Sequence, residues 1–347
     1  MDIQDFFINR AGRARSGWRL AAFVVAFLVL FVAAQALFMF GAALLLSREG
    51  FERLTDGYWG WVIQSVFLIF IPAALAGWGC GVVLEDLPWR ALGWALHRGW
   101  ARDLLLGLVL GAASLGVAAL AGVAFGGYRL ALNDAAGPTL LLKTFASSAF
   151  ILLLGAAAEE MLFRGYPLQT VMRSWPVWAG LVPTSVAFAL VHLANPNVAT
   201  GFTFVNTALA GAWLAVAYWR TRSLWLAFGL HWGWNWAMGA LLGSPISGVT
   251  SITPDPLLRF STLGPEWVGG GAYGVEGGAA CTLAIIVSTA FLWRTRLLSA
   301  TEELRHFTDE ENPNPASPPL SNYLSPPTPQ TPADHSQSDA SSLSEER

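Results

Sequence analysis

The chain has 347 residues, of which 54% are hydrophobic and only 12% charged, and its mean hydropathy is +0.49. A soluble domain carries about 25% charged residues, so the composition excludes an ordinary soluble protein and points to an all-α polytopic membrane protein. The net charge of −3 divides into an acidic C-terminal stretch and a mildly basic body with no patch suited to nucleic acid.

The elements follow in order. Residues 1–19 form a short basic N-terminus with Arg10, Arg13, Arg15 and Arg19. Leu20–Leu46 is too long for a signal-peptide core and is the first predicted span. Tyr58–Leu84 is the second, opening on Tyr58, Trp59 and Trp61 as an interface belt. A polar link with Leu87-Pro88-Trp89-Arg90 follows and suits a surface-lying helix. Leu104–Phe125, Thr139–Phe163, Val177–Ala194, Val198–Tyr218, Leu224–Leu242 and Gly277–Trp293 complete about eight apolar runs of spanning length. Pro183 interrupts the fifth.

This gives N-terminal membrane helices over residues 20–126, a membrane core over 139–298 and a tail over 308–347. The tail is Pro, Ser, Thr, Asp and Glu; it has too little apolar surface to offset its ordering entropy and is predicted disordered. The Gly- and Pro-rich segment Ser244–Glu276 reads equally as a flexible loop or a packed, conformationally special one. Arginines favour one side by thirteen to four if the N-terminus is cytoplasmic, so both termini are expected inside. Cys80 and Cys281 give neither a disulfide framework nor zinc-ligand spacing.

Among the few ionisable residues in or beside the predicted spans are Glu159, Glu160 and Arg164 at the end of the fourth, His192 in the fifth and His231 in the seventh. A charge at mid-bilayer costs roughly 2.5–3.5 kcal/mol on insertion scales, so these are functional candidates. Glu160 and Arg164 are four apart and share a helix face. They are expected to pair, leaving Glu159 turned about 100° away toward a cavity. Phe188 and His192 share the same spacing, as do His231 and Asn235. The structural alternatives are two glutamates bridging to Arg164, a histidine bonded to backbone carbonyl, and polar glue between helices. A carboxylate with two imidazoles can activate water, directly or through zinc. An imidazole and an amide can donate to an oxyanion. That combination suits peptide-bond hydrolysis.

Three motifs carry a family resemblance. Glu159-Glu160-Met161-Leu162-Phe163-Arg164 fits Glu-Glu-x-x-x-Arg, Phe188-Ala189-Leu190-Val191-His192 fits Phe-x-x-x-His, and His231-Trp232-Gly233-Trp234-Asn235 fits His-x-x-x-Asn/Asp. In this order and placement the chain resembles the CPBP family (CAAX protease and bacteriocin-processing, or Abi), intramembrane metalloproteases related to type II CAAX prenyl endopeptidases. Gly274-Val275-Glu276-Gly277 resembles a weaker fourth motif. The resemblance makes residues 139–298 a catalytic core. It implies Glu159 as general base, His192 as a ligand or second proton-transfer group, and His231 with Asn235 as oxyanion or metal partners. Glu160, Arg164 and Phe188 would support them. Zinc held by Glu159, His192 and His231 is the cofactor it suggests. The expected partners are membrane lipid and a peptide or protein substrate at the membrane; the expected location is a bacterial plasma membrane, where peptide maturation or immunity fits better than the prenylated C-terminal peptide that the resemblance also offers.

Two other classes fit the same residues: a proton-coupled transporter using Glu159 and His192 as a relay, and a catalytically silent scaffold or immunity protein. Counting alone sets Glu159 near the inner end of its span and His192 near the outer end of the next. For chemistry they must meet. The resolution expected is a helix that continues past Gly165 toward Met172, with Pro183 shortening or tilting the next span.

Overall fold

The structure, a computed structural model, describes residues 6–198 and 201–309. The expected disordered tail lies outside the described residues from 310 onward. Helix α1 (Ser16–Leu45) is apolar on every side, as a lipid-facing helix should be. A short exposed helix α2 (Arg48–Thr55) leads to α3 (Tyr58–Glu85). The middle of α3, Ile63–Phe70, is a π-helix. A one-turn 3₁₀ segment, Trp89–Leu92, then stands where a surface-lying helix was predicted, and its Ala91 and Leu92 are buried.

Helix α4 (Trp100–Ala124), strand β1 (Tyr128–Leu132) and helix α5 (Pro138–Arg164) follow. After a break at Gly165, α6 (Tyr166–Ser174) continues the path of α5. The two make one 37-residue apolar stretch. Next come α7 (Val177–His192), α8 (Phe202–Thr221) and α9 (Leu224–Trp236), which runs on through a π turn at Ala237–Leu241. Strand β2 (Leu258–Thr262), the short α10 (Glu266–Gly269), α11 (Ala279–Arg294) and α12 (Glu302–Asp309) complete the described chain.

Among the described residues, five stretches are long and apolar enough to cross a membrane: α1, α3, α4, α5 with α6, and α8. Helices α7 and α11 are apolar but shorter. The protein is therefore a helical, multi-pass membrane protein.

Helix α9 is the centre of the bundle. Its glycines Gly229 and Gly233 meet the backbone of Leu104 and Leu108 on α4, while Gly107 and Gly111 of α4 meet the backbone of Leu226, Leu230 and Trp234. Small residues four apart on both helices let two backbones touch, the packing that membrane helices use where no water drives association. On its other side α9 is pinned to α5: Trp232 and Trp236 donate indole N–H bonds to the carbonyls of Ala149 and Phe145, at 3.0 and 3.2 Å. These contacts set how far α9 slides along α5, and so how His231 meets Glu160.

Two features were absent from the sequence reading. Strands β1 and β2 form an antiparallel ribbon, Tyr128 opposite Thr262 through Leu132 opposite Leu258. Thr308 and Asp309, assigned to the tail by composition, instead end α12. Leu304 and Thr308 are buried there, and Asp309 pairs with Arg222 at 2.7 Å.

Candidate active site

The site begins with the register of one helix end. Glu160 and Arg164, one turn apart on α5, are both fully buried and pair at 3.0 Å. Arg164 also donates to the Gly211 carbonyl of α8 at 3.0 Å, and its guanidinium lies 4.5 Å above the Phe188 ring. One arginine thus ties α5, α7 and α8 together. Its neighbour Glu159 faces a cavity, as the spacing predicts.

The cavity has a volume of about 410 Å³. Glu159, His192, His231 and Asn235 all line it. His192 Nε2 and His231 Nε2 each lie 3.7 Å from the same oxygen, Oε2 of Glu159. That oxygen is buried and takes no hydrogen bond. The extension of α5 through α6, expected from the motifs, is present. So is Pro183, inside α7, where it removes a backbone donor from the early turns.

The other nitrogen of each ring is held by a fixed acceptor. His192 Nδ1 lies 2.7 Å from the Phe188 carbonyl, and His231 Nδ1 lies 2.9 Å from Glu160 Oε1. A carbonyl has no proton to give, and Glu160 is already paired with Arg164. Each Nδ1 therefore carries its proton and donates it, which leaves each Nε2 as the proton-accepting edge facing Glu159. At 3.7 Å neither is in direct hydrogen-bond contact with the carboxylate, but one bridging molecule spans the gap.

Glu159, His192 and His231 offer one oxygen and two nitrogens, the donor chemistry zinc accepts. Among the described residues, however, no group of three or more His, Cys, Asp or Glu closes around an ion.

Residues 141–237 match the family model described as type II CAAX prenyl endopeptidase Rce1-like. The match covers about a quarter of the chain and contains the Glu159–Arg164, Phe188–His192 and His231–Asn235 motifs, while Gly274–Gly277 lies beyond it. It agrees with the resemblance drawn from those motifs. The chain finds no match among curated proteins or among solved structures.

Two polar features near the Rce1-like segment escaped the motif reading or were weakly signalled. Glu276, from the Gly-rich stretch, lines the same cavity. Its Oε1 accepts the Trp234 indole N–H at 3.0 Å, and its Oε2 accepts the Ser247 amide and hydroxyl, both at 2.8 Å. The stretch is packed: Val275 and Tyr273 are buried, and Asn206 donates to the carbonyls of Glu276 and Gly278 at 2.8 and 2.9 Å. Glu85 ends α3 in a buried cluster, where both its oxygens take Arg173 at 2.9 Å and it also pairs with Arg19. The sequence reading left Glu85 in a polar link because its buried partners are far away in the chain.

Proposed function

We propose that the protein is an endopeptidase that hydrolyses a peptide bond of a membrane-associated substrate with Glu159 as the base. The observation that carries this reading is the single buried oxygen of Glu159 faced by two imidazole edges inside a cavity. The Rce1-like match supports it at the level of the family.

The steps follow from the side chains. Glu159 Oε2 takes a proton from water, and the resulting hydroxide attacks the scissile carbonyl carbon. The carbonyl oxygen becomes an oxyanion, for which the Asn235 amide supplies an N–H donor. The C–N bond then breaks. The departing nitrogen receives the proton held at Glu159, directly or through His192 Nε2, so protons balance over the cycle. His231, anchored by Glu160, keeps a second edge beside Glu159 and donates to the oxyanion once protonated. The lower dielectric among packed helices strengthens each of these interactions.

The test uses purified protein in detergent with a library of quenched fluorescent peptides. General base removal costs about 10²–10⁴-fold, so Glu159→Gln is expected to lose cleavage by that factor while its thermal melt stays near wild type. A Glu159→Gln protein as active as wild type would overturn the proposal.

A further inference from the structure

The cavity lining mixes apolar side chains, Phe27, Phe31, Trp61 and Ile69 among them, with polar ones that include Gln64, Asn195, Asn206, Ser247 and Glu276. Among the described residues no arginine or lysine lines it. Of the three glutamates near the site, Glu160 is neutralised by Arg164. Glu159 lies beside His192 and His231, and Glu276 accepts hydrogen bonds from neutral donors: an indole, an amide and a hydroxyl. Those three donors carry no charge to offset that of a carboxylate. Among the described residues it has no cationic partner.

We infer that Glu276 is a specificity-determining residue that selects substrates with a positively charged side chain close to the scissile bond. The inference rests on the proteolytic reading above. Trp234, which holds Glu276, is three residues from His231 on α9, about 4.5 Å along the axis. An extended substrate advances roughly 3.3 Å per residue, so the cation belongs within about three residues of the cleaved bond. The same charges disfavour a substrate that must place its C-terminal carboxylate in the cavity, since no basic side chain is there to receive it. The selected substrate is therefore a peptide segment with a lysine or arginine close to the cleaved bond.

The experiment compares matched peptides that carry Lys, Gln or Glu at each of three positions on either side of the cleaved bond. Wild-type protein should prefer Lys over Gln by about tenfold or more in kcat/KM at one position, as a desolvated charge pair implies, and should disfavour Glu there. Glu276→Gln should bring the Lys-to-Gln ratio close to one, while Glu276→Asp, which keeps the charge, should retain most of it. The ratio is the readout, so a general loss of activity does not mimic the result. Binding of the same labelled peptides to Glu159→Gln and to the Glu159→Gln/Glu276→Gln pair repeats the comparison without turnover. A wild-type protein with no preference for Lys, or a preference that survives Glu276→Gln in both assays, would overturn the inference. Cleavage that survives Glu159→Gln would instead overturn the catalytic reading, leaving the charge preference to be judged by binding.

Discussion

At the scale of the residue, the site depends on giving adjacent glutamates different tasks. Glu160 is fully buried, paired with Arg164 and bonded to His231, while Glu159 lines the cavity. Removing one partner of a buried pair leaves the other charged and unpaired, at a cost of about 3–5 kcal/mol. Glu160→Ala is therefore expected to lower the thermal midpoint in detergent far more than Glu159→Gln does. An equal effect of the two on the melt would contradict this division. The division was readable in advance, because neighbours on a helix point about 100° apart and only Glu160 is in step with Arg164. Glu276 was less readable. Its signal was a loose motif in a Gly-rich stretch, and its position depends on Trp234 and Ser247, which no local pattern links to it.

At the scale of the element, the fit of α9 against α4 fixes His231 and Asn235. A Cβ at Gly233 would meet the Leu108 backbone, whereas one at Gly116, also on α4, would meet nothing within 4 Å. Overpacking a tight contact costs about 1–3 kcal/mol. Gly233→Ala should lower stability by that amount in a thermal or denaturant series, and cleavage should fall further because His231 and Asn235 lie two residues to either side. Gly116→Ala should be within about 0.5 kcal/mol of wild type. Most helices were legible from apolar run length; α3, for example, spans Tyr58–Glu85 against the predicted Tyr58–Leu84. The β ribbon was not, since Tyr128–Leu132 and Leu258–Thr262 are short and each has meaning only through a distant partner. The paired spacing Gly107-x-x-x-Gly111 and Gly229-x-x-x-Gly233 was in the sequence, but spacing alone does not say which helices touch.

At the scale of the molecule, the buried cluster of Arg19, Glu85 and Arg173 joins α1, the end of α3 and α6. Around it, α12 is docked by Arg173 on the Phe307 carbonyl and by Arg222 on Asp309. Glu85→Ala would leave two buried arginines without their shared carboxylate, and a loss of about 3–5 kcal/mol is expected, seen as a lower melting midpoint and weaker recovery of folded protein. Glu85→Asp, keeping the charge on a shorter stem, should lose less. The composition announced a membrane bundle, yet not this cluster, because Glu85 sits at a helix end where a charge needs no burial to be explained.

The ribbon between β1 and β2 also carries a consequence for biosynthesis. It pairs Tyr128 with Thr262, and Glu276 follows β2, so the cavity is finished by the last part of the core to leave the ribosome. Pairings between distant segments form late, and translation proceeds at roughly 5–20 residues per second. Glu159 therefore spends several seconds in the membrane before its surroundings are complete. On the proposed reading, Glu159, His192, His231 and Asn235 are all synthesised before Glu276, so the reacting groups precede the residue proposed to select the substrate.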